Sequence, residues 1–253
     1  MFDNLFTEKY RPKTLTDLVL SNSNRKYFDS ITDEIPNLLF VGTPGIGKTT
    51  LARILVNDIL ECQYLYINAS DENGIDTIRS KVVGFAQTKS LDGKVKVVIL
   101  DEADGITIDG QRALRNTMEE YSSGTRFILT ANYKHKIIPA IQSRTQFFDL
   151  NPPFDIVLKL IVGIIKQEGI KITEDQKGNF VNVVKQNYPD IRKIINSVQK
   201  ATVKGIFEVN VALDSKEIVE RIHTEIQSKN TFGLRKYPNR EKAWWLKALN
   251  AIT

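Results

Sequence analysis

The sequence predicts an α/β fold: a parallel sheet with helices on both faces, then a small all-helical domain and a short helical C-terminal segment. Three observations predict it. Short apolar runs at 37–41, 63–68, 95–100, 126–130 and 146–149 alternate with helix-period patterns at 48–60, 74–87, 109–121 and 136–142. The first run, Leu38-Leu39-Phe40-Val41, leads into Gly42-Thr43-Pro44-Gly45-Ile46-Gly47-Lys48-Thr49-Thr50, the spacing of a phosphate-binding loop between a buried strand and a helix. Asn151-Pro152-Pro153 then ends the alternation, because proline forces its predecessor into extended geometry. Beyond it, FDIVLKLIVGIIKQEG, TEDQKGNFVNVVKQN and PDIRKIINSVQKA repeat apolar residues every three or four positions, the mark of amphipathic helices.

Residues 1–36 form a polar lead-in with one predicted helix, SNSNRKYFDSI. It carries Glu8-Lys9-Tyr10-Arg11-Pro12, in which an aromatic, a planar cation and a rigid proline can wall an adenine pocket or simply form an exposed turn. In the loop at 42–50, glycines open backbone conformations closed to other residues and let the main chain approach a phosphate. Its turn aims N–H groups inward at the positive end of the following helix. Lys48 adds a mobile charge, and the Thr49 hydroxyl can ligand Mg²⁺. With glycine at about 7% of residues, a chance match is expected only about 0.01 times in a chain of this length.

Val97-Val98-Ile99-Leu100-Asp101-Glu102-Ala103-Asp104 reads as a central strand ending in acids. Beside a phosphate loop, Asp101 is placed to hold Mg²⁺ and Glu102 to polarise an attacking water, which points to hydrolysis of the bound nucleotide. Thr130-Ala131-Asn132 ends the next strand, where Asn132 either reaches the γ-phosphate or makes a turn. In Ile141-Gln142-Ser143-Arg144-Thr145, Arg144 is either an arginine finger for a neighbouring subunit or a helix C-terminal charge. In Tyr188-Pro189-Asp190-Ile191-Arg192, Asp190 is a candidate N-cap. Arg192 falls in a first turn, where a cation opposes the helix dipole, so it either reports on the γ-phosphate or is solvated.

Composition sets wider bounds. The chain of 253 residues, 42% of them hydrophobic, can bury a substantial core. It has no apolar run of membrane-spanning length and no signal-peptide pattern, so no membrane partner is expected. The one cysteine, Cys62, excludes an internal disulfide, and with His135 and His223 far apart a Cys/His zinc site has no support. This fits a reducing cytoplasmic or nuclear compartment (a host cytoplasm for a phage protein). The formal net charge of +5 is compatible with nucleic acid without establishing it.

Lys9-Tyr10-Arg11-Pro12, the phosphate loop, Asn68-Ala69-Ser70-Asp71, Asp101-Glu102-Ala103-Asp104, Gln111-Arg112-Ala113-Leu114-Arg115, Ala131-Asn132-Tyr133, Gln142-Ser143-Arg144 and Asp190-Ile191-Arg192 occur in the order found in clamp-loader ATPases. Over about residues 7–200 the chain resembles the small subunits of replication factor C and their tailed-phage counterparts. The resemblance implies an AAA+ P-loop ATPase domain at 1–151, a helical lid at 152–206 and a partial collar at 207–253. It also implies a spiral of hetero- or homo-oligomeric clamp-loader subunits that uses ATP and Mg²⁺ to open a sliding clamp and load it at primer–template DNA.

By the same resemblance Lys48, Thr49, Asp101 and Glu102 bind and hydrolyse MgATP, Asn132 is sensor 1 and Arg192 sensor 2. Arg144 is the finger of a Ser-Arg-Cys box that here reads Ser-Arg-Thr, and Arg115 is a second residue acting across the interface. The segment from Asn73 to Lys81 is expected to follow the duplex backbone, with Gly74 and Thr77 at a helix N-terminus and Arg79 and Lys81 adding charge; its bland alternative is a solvated amphipathic helix. Only 47 residues follow position 206, about half of what a collar needs, so a reduced collar or a fragment is expected, with Trp244-Trp245 available to pack on a partner. Two other readings are a different AAA+ DNA machine, such as a branch-migration motor or helicase loader, and an ATP-binding scaffold that does not hydrolyse.

Overall fold

Apolar runs without polar alternation belong in strands covered on both faces, and all six residues of Lys96–Asp101 are buried. The computed structural model of the chain describes residues 5–90 and 93–209. Its main sheet contains β1 (Leu38–Val41), β2 (Tyr64–Asn68), β3 (Lys96–Asp101), β4 (Thr125–Ala131) and β5 (Gln146–Asp149). The strand order is β2-β3-β4-β1-β5, and every pairing is parallel. The register sets Val41 beside Ala131 and Asn68 beside Asp101. The carboxyl ends of β1, β3 and β4 therefore open at one rim, where parallel sheets bind ligands.

Ten α-helices lie among the described residues. They are α1 (Phe6–Lys9), α2 (Asn22–Asp29), α3 (Lys48–Ile54), α4 (Ile75–Thr77), α5 (Val83–Gln87), α6 (Ile108–Glu120), α7 (Pro139–Gln142), α8 (Phe154–Gln167), α9 (Lys177–Asn187) and α10 (Ile191–Lys200). Alternation along β3 divides the core. Val97 and Ile99 join Phe28, Phe40, Leu51 and Leu55 on the α2–α3 face. Val98 and Leu100 join Ile78, Val82, Leu114 and Phe127 on the α4–α6 face.

All five predicted strands are present to within a residue of their expected ends, and three helix readings change. The helix expected at 74–87 is α4 and α5 joined by a wider, π-type turn at Ile78–Val82. A similar turn, Leu55–Ile59, extends α3. The helix expected at 136–142 begins only at Pro139, because Ile138, preceding a proline, is extended at ψ 146°. Within the helical segment a small hairpin appears, β6 (Thr202–Val203) against β7 (Ile206–Phe207). Lys204 and Gly205 make its two-residue turn with φ of 49° and 77°, the left-handed pair that such turns need.

Buried polar side chains fix the joints. Gln111 Nε2 donates to the carbonyls of Ile106 at 3.1 Å and Lys136 at 3.0 Å, and its Oε1 accepts from Ile138 N at 2.8 Å. The Lys96 ammonium donates to the carbonyls of Phe85 and Thr88, capping the end of α5. α1 meets the helical segment after Pro153, with Phe6 N donating to Gln199 Oε1 at 3.1 Å and Lys9 paired with Glu168 at 2.6 Å. The chain forms one compact unit as far as Glu208. The expected C-terminal helices after 209, with Trp244-Trp245, lie outside the described residues.

Candidate active site

The loop after β1 turns on glycines. Gly45 and Gly47 have φ of +77° and +97°, a region that side chains disfavour. A Cβ on Gly45 would lie 1.9 Å from Asp190 Oδ1. Asp190 is the N-cap of α10, accepting from Lys193 N at 2.9 Å, and Arg192 N donates to Gly45 O at 3.3 Å. The lid helix thus begins on the phosphate loop. Thr43 N and Oγ1 both donate to Asn151 Oδ1, at 3.0 and 3.1 Å, which ties the front of the loop to the segment leaving β5.

Lys48, the first residue of α3, is 8% exposed. Its ammonium donates to Gly42 O at 2.8 Å, Thr43 O at 2.9 Å and Asn132 Oδ1 at 2.8 Å. Burial pushes its pKa down to about 8, against the pull of the Asp101, Asp104, Glu102 and Asp190 carboxylates. The parallel pairing of β1 with β4 brings Asn132 to this lysine.

Asp101 ends β3 and is buried. Thr49 Oγ1 donates to it, 2.7 Å from Oδ1 and 2.9 Å from Oδ2. Thr130 Oγ1 donates to Oδ1 at 2.6 Å, and the Tyr66 hydroxyl to Oδ2 at 2.8 Å. Glu102 follows at φ 55°, ψ 43°. This left-handed residue turns the chain, so the Glu102 side chain is exposed while its N–H donates to Thr130 Oγ1 at 3.0 Å. Ser70 Oγ donates to the Glu102 carboxylate.

Beside the loop lies a cavity of about 390 Å³. Tyr10, Arg11 and Pro12 wall one side, Gly45, Ile46, Gly47 and Thr50 the floor, and Arg192 the lid side. Of the residues expected to bind the nucleotide, Gly42, Thr43, Pro44, Lys48, Thr49 and Asn132 are not in its lining, and neither are Asp101 and Glu102. Sequence reasoning missed Leu18, Val19 and Leu160, which supply its apolar surface. The Tyr10 hydroxyl donates to Glu168 at 2.5 Å, and burial first, then that carboxylate, raise the phenol to about 12.

Arg144 is not in the cavity lining. It is exposed after α7, with Nη1 donating to Ala140 O at 2.8 Å and the guanidinium paired with Glu119 of α6. Arg115 lies one helical turn before Glu119, on the same face of α6, with Nε donating to Asn116 Oδ1 at 3.1 Å. The resemblance implied an interface role for both arginines; in the structure Arg144 pairs with Glu119 and Arg115 with Asn116.

The candidate DNA segment takes in α4 and the π-type turn after it, which carries Arg79 and Lys81. Arg79 is exposed and Lys81 pairs with Glu72. Arg79 and Arg112 of α6 both line a recess of about 410 Å³, where Asp109 pairs with Arg112 at 2.9 Å, so α6 adds an ion pair that the reading of 73–81 alone did not include. Gly74 is the extended N-cap residue of α4, and Thr77 is its last residue. Among the described residues, no helix is long and apolar enough to cross a membrane.

Comparisons with known proteins agree with this geometry. The family described as "ATPase family associated with various cellular activities (AAA)" matches residues 38–151. The family described as "Sliding-clamp-loader large subunit, AAA+ ATPase lid domain" matches residues 157–211. The replication factor C small subunit of Saccharolobus solfataricus is 44% identical over 246 residues, covering 90% of this chain and 72% of the relative. That of Sulfolobus acidocaldarius is 43% identical, covering 89% and 73%, and that of Archaeoglobus fulgidus 38%, covering 88% and 74%. Among solved structures, the Thermotoga maritima RuvB Holliday junction branch migration motor superposes with a TM-score of 0.57 at 19% identity, covering 76% of this chain and 64% of that one. That likeness shows the fold alone. The sequence relatives and the lid match go further: the chain belongs to the replication factor C small-subunit family and is an AAA+ ATPase subunit of a sliding-clamp loader.

Proposed function

We propose that the chain binds ATP with Mg²⁺ between the phosphate loop and the lid, and couples its hydrolysis to opening a sliding clamp and loading it at primer–template junctions. One observation carries the reading. Lys48, Thr49, Asp101, Glu102 and Asn132 converge at the carboxyl rim of the sheet, with Arg192 and Tyr10-Arg11-Pro12 around the adjoining cavity. We assign the domains as 1–151 for the ATPase, 152–206 for the lid and 207–253 for a partial collar.

The residues fit MgATP chemically. A hydroxyl and a carboxylate, Thr49 and Asp101, meet at one point and are the hard oxygen donors that Mg²⁺ selects. Mg²⁺ held by them would neutralise charge on the phosphates. Lys48 would supply positive charge to the phosphates of a bound nucleotide, and Asn132, already bonded to it, would sit beside them. Glu102 orients that water. Arg192 reports the γ-phosphate to the lid. Arg144 and Arg115 act on the neighbouring subunit's nucleotide.

The lysine makes a pH prediction. Its pKa of about 8 lies below the ordinary lysine value, and bound phosphate stabilises the charged form and raises it. Binding therefore takes up a proton above pH 8, and affinity for ATP should fall toward about tenfold per pH unit there while staying level below pH 7. Calorimetry in buffers of different ionisation enthalpy reads the proton directly. A flat affinity from pH 7 to 9 would show that the Lys48 ammonium stays charged across that range.

The DNA partner rests on Gly74, Thr77, Arg79 and Lys81, whose contacts with backbone alone suit a machine that works at any primer. The test is the ATPase rate of the chain, with its partner subunits, with and without primer–template DNA and a clamp. Stimulation should vanish in the Arg79→Ala/Lys81→Ala variant while basal hydrolysis survives. The log–log salt slope of DNA binding should flatten by about 0.9 for each duplex phosphate that the variant no longer neutralises. An unchanged slope would leave the segment at 73–81 as a solvated helix. A chain that hydrolyses ATP without responding to a clamp would favour another AAA+ machine. The single cysteine fits a reducing cytoplasmic or nuclear compartment.

A further inference from the structure

The Asp101 carboxylate is held from both sides by the strands that flank its own. Thr130 on β4 donates to Oδ1 at 2.6 Å, and Tyr66 on β2 donates to Oδ2 at 2.8 Å. Thr49 lies near both oxygens, but its hydroxyl has one proton and can serve one of them at a time. In the proposed function its oxygen also faces the cation. The lasting constraints on the rotation of the carboxylate are therefore Thr130 and Tyr66. Tyr66 is itself clamped, since the Arg53 guanidinium sits 4.5 Å over its ring. Arg53 is one helical turn beyond Thr49 on α3. Thr49, Asp101, Tyr66 and Arg53 thus close a ring of contacts through α3, β3 and β2, and one helix supplies both the candidate metal ligand and the clamp on the carboxylate's support.

We infer that Tyr66 is a positioning residue for the divalent cation, acting through its hydroxyl on Asp101. Partners behind a metal-holding carboxylate are commonly worth about 10–100-fold in metal affinity or activity. The inference rests on the assignment of Asp101 to Mg²⁺, which Asp101→Asn tests separately.

The experiment measures ATP binding to the full chain as Mg²⁺ is titrated, beside binding in EDTA, for the parent, Tyr66→Phe, Asp101→Asn and the double variant. Tyr66→Phe removes one oxygen and keeps the ring. It should raise the Mg²⁺ concentration for half-maximal effect about tenfold and leave affinity in EDTA within about twofold. In the Asp101→Asn background it should add nothing, because the two act as one unit. A Tyr66→Phe protein with the parent's Mg²⁺ midpoint, even with a lowered Tm, overturns the inference and leaves Tyr66 a strut in the core. If Asp101→Asn itself leaves the Mg²⁺ response intact, it is the metal assignment that fails. Arg53→Ala, at an exposed position of α3, carries the same test should Tyr66→Phe not fold. Its expected shift is about threefold, and no shift in it counts against the inference.

Discussion

Replacing Arg144 with alanine should abolish the ATPase of the assembled loader and leave ATP affinity within about twofold. Arginine fingers acting in trans are worth roughly 10³–10⁵ in rate. In its own subunit the Arg144 guanidinium pairs with Glu119 on α6 and has no contact with Lys48, Thr49, Asp101 or Glu102. A finger acting in trans would leave its own subunit's ATP binding unchanged and act on a neighbour's transition state. Mixing Arg144→Ala with Lys48→Ala protein gives the decisive result, since the mixture can form sites in which an intact Lys48 faces an intact Arg144. Recovered turnover supports the trans role, and none, with co-assembly shown by sedimentation, sinks it.

Glu102→Gln should retain MgATP and lose at least about 100-fold in turnover, the range for a positioned acid–base group. The side chain is aimed by its backbone. At φ 55° the residue leaves the strand, its N–H is anchored to Thr130, and its carboxylate is met by Ser70. Glutamine keeps the size and the left-handed turn and removes only the basic oxygen. The variant should therefore accumulate bound ATP, readable as nucleotide retained after gel filtration. Near-parental turnover in the assembled state would move the catalytic base elsewhere.

Much of this was legible in the chain. The five strands announced themselves because parallel strands covered on both faces must be continuous apolar runs, as Val97 to Leu100 are. Lys48, Thr49 and Asp101 were legible because phosphate binding demands particular residue types at fixed spacing. The supporting hydroxyls were not. Thr130 and Tyr66 lie 29 and 35 positions from Asp101, and a threonine or tyrosine in a strand has no local signature separating a hydrogen-bond donor from a filler. Glu119 and Glu168 were hidden for the same reason, since an acid on a helix is ordinarily solvated. The split of 74–87 by a wide turn was invisible because apolar spacing of three and four persists across it. The shortened α7 could have been read from Pro139 alone.

The mooring of the lid has a consequence for how its arginine can be studied. The lid helix is held to the phosphate loop by main-chain and cap atoms, through Arg192 N on Gly45 O and Asp190 against Gly45. None of these belongs to the arginine side chain. Anchorage and charge therefore reside in different atoms of one turn. A residue that usually confounds two roles can here be stripped of its cation while the hinge it stands on keeps its place.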